Sequence, residues 1–160
     1  LVVKSHVKEG MKIAKSFKLP NQIIDIIPQH HGTRKISYFY DRALTVVDPE
    51  KEKINESDFC YEGPIPKTKE AAIIMLADSI EASSRVLKDP SSQRLKTMID
   101  EIFDKILAER QLDDCDLTIN DLAKLKEGFF KALVGVYARR ISYPNFEFDK
   151  DQKNGKSEKG

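Results

Sequence analysis

The stretch Ala71-Ala72-Ile73-Ile74-Met75-Leu76-Ala77-Asp78-Ser79-Ile80-Glu81-Ala82 decides the fold class. Its first seven residues are apolar, without the polar alternation of a half-buried strand, and they sit in a segment, 67–87, that holds neither glycine nor proline. Length and composition together predict a helix over residues 67–87, largely buried around the apolar run. Toward the C-terminus, Asp89-Pro90-Ser91 stops that helix and starts another over 92–110. Its expected buried stripe is Leu95, Met98, Ile99, Ile102, Phe103, Ile106 and Leu107. Residues 111–117 read as a loop. Thr118-Ile119-Asn120-Asp121 has the form of an acidic helix start and opens a last helix through residue 141, with Leu122, Leu125, Phe129, Phe130, Leu133 and Tyr137 inside. After Pro144 the chain turns polar, and a disordered tail is expected over 145–160.

Toward the N-terminus, residues 48–66 carry Asp48-Pro49, Gly63-Pro64 and Pro66 and no clear period, which predicts an ordered surface loop with a short turn. A helix over 34–47 would face Ile36, Phe39, Tyr40, Ala43 and Val47 inward, and the aromatic group Tyr38, Phe39 and Tyr40 reads mainly as core packing. Val3, Val7, Met11 and Ala14 mark a first helix over 4–18, with Ser5 a candidate cap. Leu19-Pro20-Asn21 breaks it. Pro20 suits the first turn of a second helix carrying Ile23, Ile24, Ile26 and Ile27, which Pro28 should kink and Gly32 should terminate. Six helices and no alternating valine-rich run give an all-α fold, a helical bundle.

The 160 residues suit one domain, and hydrophobic residues at 40% against 33% charged suit a globular one with a charged exterior. A formal charge of +1 supplies no broad field for DNA, RNA or an anionic membrane, so an anionic substrate needs a local site. Cys60 and Cys115 form no CxxC pair, which argues against a zinc ribbon or a disulfide scaffold and for a reducing compartment. No apolar run reaches the roughly 18–20 residues that cross a bilayer.

All three histidines, His6, His30 and His31, fall in the first 31 residues. The short connection at 19–21 makes the first two helices neighbours, so His6 can meet the pair at the end of the second. Imidazole is the commonest protein metal ligand. Asp78 directly follows the apolar run, where an uncompensated carboxylate would cost several kcal/mol. It therefore needs a partner: a metal, a histidine, or Arg85 two turns further on. Three imidazoles and a carboxylate without thiolate suit Fe, Mn, Zn, Co or Ni. Singly, each residue has an ordinary explanation: His6 as a surface histidine, Asp78 as a partner of Arg85.

Taken together, Ser5-His6-Val7-Lys8-Glu9-Gly10, Leu19-Pro20, Ile26-Ile27-Pro28-Gln29-His30-His31-Gly32-Thr33 and the 71–82 stretch resemble the HD domain of seven-transmembrane HD phosphohydrolases, which include bacterial cyclic-di-AMP phosphodiesterases. The likeness continues through Lys67-Thr68-Lys69-Glu70, Gln111-Leu112-Asp113-Asp114-Cys115-Asp116-Leu117-Thr118 and Arg140-Ile141-Ser142-Tyr143-Pro144, and so spans residues 1–144. It implies an HD-like helical domain with two metal ions, iron or manganese, that hydrolyses a cyclic dinucleotide to the linear form. His6, His30, His31 and Asp78 match the family's ligands. Lys67, Lys69 and Arg85 are weaker candidates for phosphate contacts. The resemblance also implies the cytoplasmic face of a bacterial membrane, with membrane spans outside this chain, and it is compatible with a homodimer.

There are two departures. The family pattern begins with a histidine and a His-Asp pair upstream of His6, and this sequence contains no His-Asp dipeptide. Together with the opening Leu1-Val2-Val3-Lys4, this suggests a chain that starts partway through the domain, with fewer metals or none and little activity alone. Pro28 is the second departure, one that would shift the His30-His31 geometry. Two other readings stay open: a degenerate HD module that binds nucleotide and signals without hydrolysis, and a helical interaction domain whose histidines hold no metal.

Overall fold

The computed structural model describes residues 2–47 and 53–137. The expected tail at 145–160, the last helix beyond Tyr137 and the Asp48-Pro49 turn lie outside the described residues. Within them the fold is all-α: α1 (Val2–Ser16), α2 (Asn21–Ile26), α3 (Ser37–Val46), α4 (Lys69–Val86), α5 (Ser92–Ala108) and α6 (Ile119–Tyr137), with a short 3₁₀ helix at Glu56–Phe59. No strand occurs among the described residues, and the one isolated antiparallel bridge joins Lys35 to Cys60.

The core lies in α4, α5 and α6. Met75, Leu76 and Ile80 of α4 and Leu95, Ile99, Phe103 and Ile106 of α5 are each at most 2% exposed. From α6, Leu122, Leu125, Phe129, Phe130 and Leu133 pack half-buried against them, and buried Tyr137 donates its hydroxyl to the Ser84 carbonyl at 3.0 Å. Side-chain caps set the helix starts. Thr68 accepts from the Ala71 N–H and Ser91 from the Arg94 N–H, while Thr118 and Asp121 each accept the other's backbone N–H at 3.1 Å. The predicted stripe of α5 needs one correction. Ile102 is half-buried and Leu107 is 42% exposed, because Leu107 stands about 100° round the helix from Ile106.

The N-terminal half departs further from the periodic reading. Pro28 does not kink α2, because α2 already ends at Ile26. Pro28 has no N–H to give to Ile24, and the N–H groups of Gln29 and His30 both turn to the Ile26 carbonyl, closing the helix into turns. Residues 34–36 are extended rather than helical. The Tyr61 N–H donates to the Arg34 carbonyl at 3.0 Å, and the Ile36 N–H to that of Phe59 at 2.8 Å. Ser5 lies inside α1, its hydroxyl donating to the Val2 carbonyl, and caps nothing. Tyr38 is 68% exposed, not core.

Candidate metal centre

The His30-His31 pair sits on a loop held from both sides. Buried Gln29 accepts the Lys67 N–H at 2.8 Å. Gly32 has φ +56°, and a Cβ there would run into the Gln111 amide oxygen and stand 2.9 Å from Met75 Cε. The Thr33 N–H donates to Gln111 Oε1 at 2.9 Å, and Gln111 Nε2 donates to Thr33 Oγ1 at 3.0 Å and to the Glu109 carbonyl at 2.9 Å. Arg34 then reaches Glu109 at 2.7 Å and Ser79 at 2.8 Å. A two-histidine turn is thus fastened to α4 and to the end of α5. Sequence reading placed Gln111 only in a loop. A glutamine whose loop partner, Thr33, lies 78 positions away leaves no local signal of that role.

On this scaffold His6 from α1 meets both loop histidines. His6 Nε2 lies 3.3 Å from His30 Nε2 and 3.1 Å from that of His31. The far nitrogens fix the tautomers. His6 Nδ1 faces the Val3 carbonyl, and His30 Nδ1 the Ile27 carbonyl at 2.6 Å. A carbonyl only accepts, so each Nδ1 carries a proton, and in the neutral ring that a metal takes each Nε2 presents a lone pair. His31 Nδ1 faces the carboxylate of Asp78 at 3.5 Å, which favours the same tautomer. The Nε2 contacts are therefore convergent lone pairs, not hydrogen bonds.

Such an array suits a cation. Two nitrogens held about 2.1 Å from one ion stand roughly 3.0–3.4 Å apart at coordination angles of 90–109°, which matches the two Nε2 separations. One ligand atom from each ring lies within 4.8 Å of the others. Backbone carbonyls on the outer ring nitrogens are the usual support for metal-bound histidines. The residues present fit a divalent metal.

Burial, followed by the neighbouring His30, His6 and Arg34, lowers the His31 pKa to about 3, so the ring is neutral near neutral pH. Its contact with Asp78 is then a long polar contact rather than an ion pair. The Asp78 side chain is 45% exposed, which corrects the premise that it is buried behind the apolar run. Its helix position turns outward while Met75, Leu76 and Ile80 turn inward. Asp78 pairs with neither Arg85 nor the three-nitrogen cluster itself, but approaches the outer edge of His31. Arg85 is bound to Glu81 and Lys69 to Asp121 at 2.9 Å, and neither these two nor Lys67 lines the cavity beside His31. Tyr61, unremarked in the sequence, stacks on His31 with centroids 4.2 Å apart and planes at 24°. Burial and then Asp78 raise its phenol pKa.

A helical domain with a three-imidazole, metal-competent centre is the class that fold and site define. The HD domain family model matches residues 2–83, and the chain belongs to that family. It is 36% identical over 143 residues to the cyclic-di-AMP phosphodiesterase PgpH of Bacillus subtilis, and 38% over 150 residues to that of Listeria monocytogenes. These alignments cover 89% and 94% of this chain but 20% of each relative, so the chain spans about one fifth of their length. Among solved structures it resembles the HD domain of L. monocytogenes PgpH (TM-score 0.77) and that domain in complex with cyclic-di-AMP (TM-score 0.78). Both are 36% identical, over 85% of this chain and 62% of theirs.

Proposed function

We propose that this chain forms part of a metal-dependent phosphodiesterase domain that hydrolyses a cyclic dinucleotide, cyclic-di-AMP, to the linear dinucleotide. The observation that carries the reading is the convergence of three Nε2 lone pairs from His6, His30 and His31, each ring oriented by a backbone carbonyl or carboxylate behind it. The relatives named as cyclic-di-AMP phosphodiesterases, and the similar domain solved with that nucleotide, supply the substrate class.

The three imidazoles would hold one ion of a two-ion centre, with iron or manganese the metals. A bound ion supplies Lewis acidity to a phosphoryl oxygen. Val3 and Ile27 keep the Nδ1 protons of His6 and His30 in place, so the Nε2 atoms remain available. Asp78 steadies His31 from its outer edge and offers a carboxylate on that side for the second ion. Tyr61 covers one face of His31 and limits water there. Lys69 and Arg85 are engaged in other ion pairs, which weakens the case for them as phosphate contacts, and Lys67 remains a weak candidate.

The sequence has no His-Asp dipeptide, so the remaining ligands would come from a part of the domain outside these 160 residues. The chain alone would bind one ion and turn over little. The membrane location implied by the resemblance, with its spans elsewhere, belongs to the same proposal. Among the described residues no helix is long and apolar enough to cross a membrane. Hydrolysis tests the reading in protein that carries both these residues and a His-Asp pair. Manganese-dependent conversion of cyclic-di-AMP to the linear product, abolished by His31→Ala, is expected. Tight nucleotide binding without turnover would instead establish the alternative, a degenerate HD module that signals without hydrolysis.

A further inference from the structure

Beside His31 opens a cavity of about 140 Å³ whose polar rim is Lys4, Lys8 and Glu62. Val7, Met11 and Pro28 give it an apolar floor, and Tyr61 stands at its junction with the histidines. Lys4 and Lys8 follow one another at i and i+4 on α1, flanking His6. Two ammonium groups on one helix face repel, and here both turn to the same carboxylate. Lys8 Nζ is 3.0 Å from Glu62 and Lys4 Nζ 3.8 Å from it. Lys4 is the more enclosed, its side chain 20% exposed, and also donates to the Asp58 carbonyl at 3.4 Å. The hydrogen bond from Lys8, then the charges of both lysines, hold the Glu62 carboxyl below the usual carboxylate range.

Two cations thus share one anion at the mouth of a cavity that touches the metal centre. One positive charge is left over in a protein whose net charge is only +1. We propose that Lys4 and Lys8 bind a second phosphate group of the substrate, and that Glu62 is an internal counter-ion which that phosphate displaces. The inference rests on the phosphodiesterase reading and assigns the substrate's other anionic group, the one not at the histidines. The phosphodiester brings one negative charge on two non-bridging oxygens, so one oxygen can face each lysine, whereas Glu62 satisfies them unequally. The apolar floor takes the sugar and base that follow the phosphate. In this arrangement the carboxylate competes with the phosphate for the two lysines and lowers its affinity.

Removing Glu62 should therefore act with the opposite sign from removing either lysine. In calorimetric titration of the 160-residue chain with cyclic-di-AMP, Lys4→Met and Lys8→Gln are expected to weaken binding roughly three- to tenfold each. Glu62→Gln should tighten it by a comparable factor, and tighten binding of the singly charged linear dinucleotide ApA less. Raised salt should weaken the wild type more than the lysine variants. General damage to the fold lowers all three affinities and cannot reproduce the reversed sign. Unchanged binding in all three variants, or weakening by Glu62→Gln, overturns the lysine assignment and leaves the phosphodiesterase reading intact. No nucleotide binding by the wild-type chain also overturns the lysine assignment, whereas the phosphodiesterase reading falls only if protein that carries a His-Asp pair as well fails to hydrolyse the nucleotide.

Discussion

At the scale of single residues, the centre depends on how the His30-His31 turn is held. Gly32 has a left-handed φ, and the space beside it is filled by Gln111 and Met75. Gly32→Ala should destabilise the fold by about 2–4 kcal/mol, combining backbone strain with overpacking, and a chemical-denaturation midpoint checks it. His31 makes a second prediction. Its folded pKa of about 3 lies below the 6.5 of the unfolded chain. The unfolded state therefore takes up a proton first, and the His31 contribution to stability is full above about pH 6.5 and lost as pH falls toward 3. In the metal-free chain, NMR should show the His31 ring unprotonated down to about pH 4, and a midpoint near 6.5 would contradict its burial. The histidines themselves were legible from residue type and the short 19–21 connection. The Asp78 argument was not sound in the same way: the inference of burial failed, and what the structure shows is an exposed carboxylate against the outer nitrogen of His31.

At the scale of elements, local chemistry foretold the C-terminal helices better than the N-terminal ones. Thr68, Ser91 and the Thr118–Asp121 pair are short-range caps, and each start can be read within four residues. Asp121 also holds Lys69 of α4, which together with the Thr118 hydrogen bonds brings its pKa to about 2. Thr118→Ala should cost about 1 kcal/mol of stability, read as a lower thermal midpoint, and no loss would mean that the cap is dispensable. By contrast, the end of α2 and the delayed start of α3 follow from pairing of residues 34–36 with 59–61. Contacts across 25 positions have no periodic trace in the sequence. The same pairing carries Tyr61 over His31, a placement with no local trace in the sequence.

Across the whole molecule, the apolar core and the functional centre occupy different ends of the chain. The seven least exposed large side chains, apart from Pro66, belong to α4 and α5, whereas α1 buries Ala14 alone. α1 is held instead by the ion pairs of Lys4 and Lys8 with Glu62 and by its contact with the short α2, while the facing lone pairs of His6, His30 and His31 add no attraction until a cation joins them. Local opening is therefore cheapest at α1. Amide hydrogen exchange should be fastest in α1 among the long helices and slowest in α4 and α5, and a divalent ion should slow α1 selectively. Equal protection of α1 and α5 in the metal-free chain would contradict this division.

Titration of the metal-free chain with cobalt, followed by visible absorption and calorimetry, tests the central claim that three imidazoles converge on one cation. The account predicts one ion per chain and loss of the site in His6→Ala, a variant whose exposed position leaves the core of α4 and α5 untouched. Unaltered stoichiometry and affinity after His6→Ala would contradict it.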